Sequence, residues 1–131
     1  MSIRMFAVPL ILFAIGVAAS AAGPGDAAAG KAYFTLTCRQ CHSAEDGDGG
    51  GEIGPSLVGV FGRTAGVGDS RFAYTKALTD SKLVWNPQTL DRFLTDPGTT
   101  VPGTTMALPI AAKQDRDNVI AYFQSVAGGA K

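Results

Sequence analysis

Apolar positions recur at helical spacing in three stretches of the chain, and nowhere do they alternate as a half-buried strand would. From Asp26 to Thr37, the residues Ala29, Tyr33 and Leu36, with Phe34 beside them, predict a helix with one apolar stripe. Asp26 stands at its start and Ala27 to Ala29 propagate it. Asn86-Pro87 is a start signal, a capping side chain followed by a ring already set at a helical φ. It opens a second helix running to about Thr95, with Leu90, Phe93 and Leu94 inward and Asp96-Pro97 as its end. A third is expected from Ala112 to Ala127, burying Val119, Tyr122, Phe123 and Val126, with Gly128 as its stop. Ala73 to Thr79 has the makings of a short helix. Between these, Ser43 to Gly54 is glycine-rich and acidic, Gly59 to Ser70 is irregular, and Pro97 to Ile110 carries three prolines and reads as an extended loop. The pattern predicts an all-α fold of three main helices, one or two short ones and long loops.

Residues 1–22 follow a different pattern. Arg4 precedes an apolar run from Met5 to Val17, broken only by Pro9 and Gly16, and Ala19-Ser20-Ala21 fits an A-x-A cleavage site. A secretory leader cleaved near Ala21-Ala22 is expected, with residues 23–131 as one domain exported to the periplasm. An uncleaved membrane anchor is the weaker alternative, because the run falls short of the roughly 18 apolar residues of a spanning helix. Lys+Arg and Asp+Glu both number 11 in the whole chain, a balance that argues against nucleic acid as the main partner. Residues 23–131 carry ten basic side chains against eleven acidic ones, and keep one methionine, Met106, and one histidine, His42. So much loop in a small domain needs something to fill its middle. The few aromatic residues are not enough, and a large apolar cofactor would be.

The two cysteines supply the candidate. Cys38-Arg39-Gln40-Cys41-His42 is C-x-x-C-H, the attachment sequence of c-type haem. Thiols three residues apart on one helical turn can each form a thioether to a haem vinyl group, and the next residue brings an imidazole beneath the iron. A structural zinc site lacks ligands, since only two cysteines and one histidine are present. A thioredoxin-like pair expects a βαβ context that is not visible, and a plain Cys38–Cys41 disulfide is the remaining rival. Met106 sits in a loop fixed by Pro102 and Gly103 and not on a helix face, which points away from core filling. A His42/Met106 ligand set is the electron-transfer arrangement, and the thioether raises the reduction potential.

The chain resembles a class I c-type cytochrome, of the bacterial group most similar to mitochondrial cytochrome c. The resemblance runs from about Gly30 to Phe123. It rests on Gly30 and Phe34, the haem motif, Gly54-Pro55-Ser56-Leu57-Val58-Gly59-Val60-Phe61-Gly62-Arg63, Phe72-Ala73-Tyr74-Thr75, Trp85, Thr89-Leu90, Asp96-Pro97, Pro102-Gly103-Thr104-x-Met106 and Asp117 to Tyr122. It implies the small cytochrome c fold wrapped around one covalently attached haem c with its iron. It implies a Pro55 carbonyl accepting from the His42 ring N–H, and Arg63, Tyr74 and Trp85 around the haem propionates with Thr104 near the same edge. It also implies Gly30 and Phe34 packed on Tyr122 where the first and last helices cross.

Departures from the family are as informative. Phe93, on the haem's methionine side, stands where the family usually has Tyr, Leu78 where it often has Asn, and Leu108 where an aromatic is common. The positions that frame the exposed haem edge, lysine-rich in mitochondrial relatives, read Ala32, Thr37, Glu52, Gly98, Thr99, Thr105 and Ala112, with Lys113 nearby. Docking is therefore expected to be mainly apolar and only weakly steered by charge. The acidic loop Glu45 to Glu52 lacks calcium-loop spacing and is expected to be a solvated surface loop. The resemblance implies a monomeric, periplasmic one-electron carrier and not an enzyme. Its partners would be redox proteins such as a membrane cytochrome bc complex, a terminal oxidase, a photosynthetic reaction centre or a periplasmic dehydrogenase. The alternative is a haem-based peroxidase or gas sensor with a labile Met106.

Overall fold

The structure is a computed structural model that describes residues 24–48, 50 and 53–127. The expected leader and the Gly128 stop lie outside these residues. In chain order the elements are α1 (Ala27–Tyr33), continued without a break by a π turn (Phe34–Cys38), then α2 (Lys76–Asp80), α3 (Pro87–Thr95), α4 (Pro97–Thr100) and α5 (Lys113–Ala127). Among the described residues there is no β-strand, only an isolated antiparallel bridge between Thr64 and Val84. No helix among them is long and apolar enough to cross a membrane.

Helices α1 to α4 begin where local chemistry supplies an acceptor for their free N–H groups. Asp26 accepts from Ala29 N at 2.8 Å, Thr75 from Leu78 N at 3.3 Å and Asp96 from Thr99 N at 2.9 Å. α3 has a full capping box: Asn86 accepts from Thr89 N while the Thr89 hydroxyl accepts from Asn86 N, both at 2.8 Å. Several expectations are corrected. The first helix winds wider from Phe34 on, with Arg39 N bonded to Phe34 O at 2.9 Å. Its inward side is Gly30 and Phe34, while Ala29 is exposed and Leu36 is 76 % exposed. The loop after Asp96 is not wholly extended, because Pro97 and the Asp96 cap start the single turn of α4. The short helix lies three residues later than Ala73, where Thr75 can cap it.

The packing centre is the crossing of α1 with α5. Phe34, 1 % exposed, lies with its ring 5.6 Å from Tyr122 and 5.7 Å from Phe123. The close approach demands glycine: a Cβ at Gly30 would overlap the Asn118 carbonyl and crowd Tyr122 Cβ. Asn118 Oδ1 in turn accepts from Asp26 N at 2.8 Å, locking the start of α1 to α5. α3 packs on α5 through Leu90 and Leu94 against Val119, Ile120 and Phe123. The acidic loop is more ordered than a solvated one. Ala44 is buried, and Asp48 accepts from Ala44 N at 2.8 Å, Glu45 N at 3.1 Å and Gly50 N at 2.8 Å.

Candidate functional site

The helices and the loops between them face a cavity of about 390 Å³. Cys38, Cys41, His42, Pro55, Arg63, Tyr74, Trp85, Phe93, Thr104 and Met106 all line it. The rest of the wall is mostly apolar, with Leu90 and Leu94 from α3 and Val119 and Phe123 from α5. The sequence-predicted site residues, scattered over almost seventy positions, are thus brought to one chamber.

The end of the π turn places the cysteines and the histidine together. Cys41 N donates to Cys38 O at 3.0 Å and His42 N to the same carbonyl at 2.9 Å, a closed helical turn. Both cysteines are free. Burial, and next the neighbouring Cys41, pushes the Cys38 thiol up to about 11. It is therefore a neutral thiol at physiological pH and not the low-pKa thiolate of a disulfide exchanger. Among the described residues no three His, Cys, Asp or Glu side chains gather as a metal-binding set.

His42 Nδ1 lies 2.7 Å from Pro55 O. A carbonyl can only accept, so Nδ1 carries the proton and Nε2 is left as the free lone-pair donor. Burial lowers the His42 pKa below its usual value, with the Pro55 bond opposing in part, so the ring stays neutral at pH 7, the form that binds a metal. Gly54 is required beside it, since a Cβ there would land inside the imidazole. Gly54 N also donates to Cys41 O at 2.8 Å, holding the Pro55 strap against the histidine.

Met106, which lines the same cavity, is half-buried on the loop after α4. Thr104 N donates to Val101 O at 3.0 Å, and the Thr104 hydroxyl accepts from Met106 N at 3.4 Å. Arg63 Nη2 donates to Ser56 O at 3.0 Å, but its buried Nε has no partner among the described residues. A cationic N–H left orphaned in a cavity wall calls for an anionic acceptor. That fits a haem propionate, and the apolar wall with a free imidazole nitrogen fits the rest of the group. Gly68, at φ +108°, leaves the room that the guanidinium occupies. Trp85 is tied by its backbone to this segment, with Gly62 N on Trp85 O and Trp85 N on Arg63 O, both 2.9 Å. Its ring meets Phe93 edge-on at 5.1 Å. The Tyr74 hydroxyl accepts from Asp69 N at 3.1 Å and donates to Val67 O at 3.3 Å, so it also serves to fold the 67–74 loop.

Two contributors are absent from the sequence reading. Asp69 accepts from Ser56 N at 3.0 Å and so braces the segment that holds Arg63. Arg116, 8 % exposed, is the buried charge of α5. Its signal was present, because 116, 119, 120 and 123 share a helical face, but a charged residue in that register reads as the edge of a stripe and not as part of it.

The chain is similar to known proteins over most of its length. The family model described as Cytochrome c matches residues 27–127. Cytochrome c of Euglena viridis is 42 % identical over 103 residues, covering 78 % of this chain and 98 % of that one. Cytochrome c2 of Rhodopila globiformis is 38 % identical over 106 residues, covering 80 % and 97 %. The solved structure of cytochrome cH from Methylobacterium extorquens superposes with a TM-score of 0.69 at 40 % identity, covering 77 % of this chain and 99 % of that one. The chain belongs to the cytochrome c family as a class I member, an electron carrier with one covalently bound haem c and not an enzyme.

Proposed function

We propose that the protein is a diffusible periplasmic one-electron carrier in which Cys38 and Cys41 hold the haem by thioethers while His42 and Met106 ligate its iron. The observation that carries this reading is the convergence of those four side chains on one apolar cavity, with His42 Nδ1 spent on Pro55 and Nε2 free. When bound, the haem supplies an iron that gains and loses one electron. The chain does the rest. Pro55 fixes the His42 tautomer and makes the imidazole a stronger donor. Met106 supplies a soft sulfur that favours the reduced metal. The apolar wall disfavours the extra positive charge of the oxidised state. Arg63, with Trp85 and Thr104, holds the polar edge of the macrocycle. Residues 1–22 direct export and are removed near Ala21-Ala22.

A test is to purify the exported protein and digest it. A haem mass on the Cys38–His42 peptide, an N-terminus near Gly23 and a sulfur-to-iron charge-transfer band abolished by Met106→Ala are expected. Cysteines found free or bridged, or a colourless product, overturn the reading.

Donors and acceptors are proposed as redox proteins such as a membrane cytochrome bc complex, a terminal oxidase, a photosynthetic reaction centre or a periplasmic dehydrogenase. Docking is proposed to be mainly apolar. Ile53, Val67 and Leu108 line the cavity and are 76 %, 52 % and 54 % exposed. Ala32, Gly98, Thr99, Thr105 and Ala112 are exposed without charge. Lys113 is bonded to Asp117 at 2.7 Å, and Glu52 lies outside the described residues. The electron-transfer rate with the true partner should fall only mildly as salt is added. A steep fall contradicts apolar docking.

A further inference from the structure

The loop that carries Met106 is fastened at its two ends and almost nowhere between. At its start Val101 N donates to Pro97 O at 2.9 Å and Thr104 N to Val101 O at 3.0 Å. At its finish Ile110 N donates to Leu94 O at 2.7 Å. From Thr105 to Pro109, the one hydrogen bond within the described residues is the long contact of Met106 N with the Thr104 hydroxyl, 3.4 Å. The finishing end is also where the buried guanidinium of Arg116 is spent. Arg116 Nη1 donates to Ile110 O at 2.8 Å and to Ala111 O at 2.9 Å, while Nε donates to Asp91 Oδ1 at 2.7 Å. One side chain of α5 thus joins the end of the methionine loop to the middle of α3. The Arg116 side chain is 9 % exposed and that of Asp91 33 %, so the pair is shielded far more than a surface ion pair.

We infer that Arg116, set by Asp91, is a positioning residue that keeps the Met106 sulfur on the iron by clamping the far end of its loop. The inference rests on the ligand reading given above. The physical reason is a balance of restraints. A loop with almost no internal hydrogen bonds loses much conformational freedom when its side chain is fixed to a metal. Tying down the C-terminal anchor reduces the states that compete with ligation. The two carbonyl bonds also have to come from a charged fork in a buried place. A neutral replacement leaves carbonyls unpaired and Asp91 facing a void, so the anchor opens more often. Loop opening would free a coordination position, and the carrier would drift toward the ligand-binding chemistry of the peroxidase or sensor alternative. Lys at this position retains a charge toward Asp91 but cannot hold both carbonyls and the carboxylate with a planar fork.

The experiment uses the haem-loaded protein and the variants Arg116→Gln, Arg116→Lys and Asp91→Asn. Tyr122→Phe, which loses the 2.7 Å bond from Tyr122 to Glu45 away from the cavity, serves as a general destabilisation control. Two readouts are followed beside thermal stability: the rate at which carbon monoxide binds the reduced protein, and the pH at which the oxidised protein loses its sulfur-to-iron band. For Arg116→Gln, loop opening should rise about tenfold or more, as befits loss of charge-assisted hydrogen bonds. Carbon monoxide binding should speed up by that factor and the band should vanish about one pH unit lower. Asp91→Asn and Arg116→Lys should shift both readouts in the same direction by less, and both keep enough of the pair to fold if the glutamine variant does not. The proposal is overturned if the Arg116 and Asp91 variants melt early yet bind carbon monoxide and hold the band as Tyr122→Phe does. A wild-type protein without the band, or one keeping it after Met106→Ala, instead removes the ligand reading itself.

Discussion

Single residues in this chain are fixed by what stands opposite them. Arg63 has one arm on Ser56 O and a second N–H with no partner among the described residues, an arrangement completed by an anion. Arg63→Gln should therefore lower the reduction potential, by an amount on the order of tens of millivolts for one charge at an intermediate dielectric. Voltammetry measures it, and an unchanged potential would show that the cation is not felt at the metal. Between Asp96 and Ala112 there is no lysine. With no loop lysine to take its place, loss of the proposed ligand Met106 in alkaline solution should therefore come only at higher pH or use another ligand. Magnetic resonance of the alkaline oxidised form checks this, and a lysine-bound species in mildly alkaline solution contradicts it.

At the scale of elements, two substitutions separate local from tertiary causes. Asn86→Ala breaks the capping box of α3 and should cost about 1 kcal/mol in urea unfolding. Gly30→Ala improves helix propensity yet drives a methyl into the Asn118 carbonyl, so it should destabilise by about 3 kcal/mol, against the propensity scale. Equal effects of opposite sign would mean that helix propensity and not the crossing governs α1. The same contrast explains what was legible in the sequence. Asn86-Pro87 and Leu90, Phe93 and Leu94 located α3 to the residue, because cap and stripe are local signals. Cys38, Cys41 and His42 followed from motif spacing and Met106 from its Pro- and Gly-fixed loop, whereas Pro55, Arg63, Tyr74, Trp85, Phe93 and Thr104 were legible only through the resemblance to class I cytochromes. The π turn after Tyr33 left no local mark in the residues that form it, Phe34 to Cys38. Leu36 was read as core from a 3.6-residue period that the wider turn does not keep. The acidic loop reads as solvated because four carboxylates in a glycine-rich stretch give no hint that backbone N–H groups will close around one of them, Asp48.

For the whole molecule the acid limb of stability follows from such carboxylates. Burial alone would raise the Asp48 pKa, but the N–H groups of Ala44, Gly50 and Glu45 together hold it below the usual range. Lys31 and Tyr122 lower Glu45, the Ser56 and Arg71 amides lower Asp69, and the Thr99 amide lowers Asp96. Each native carboxyl is a stronger acid than its unfolded counterpart near pH 4. The unfolded chain therefore takes up protons first as pH falls. The stabilisation is complete above about pH 5 and is lost as pH drops through the native values. Asp48→Asn should flatten this fall in melting temperature between about pH 5 and pH 3, and an unaltered acid limb would assign it elsewhere.

The bond from Asp26 N to Asn118, ninety-two positions apart, has a consequence for how the molecule can be cut. It closes residues 26–118 into a ring whose seam joins the start of α1 to α5. Trimming residues from either side of that seam should unfasten the ring, whereas a nick in the distant Gly66–Gly68 bend would leave two pieces still buckled together.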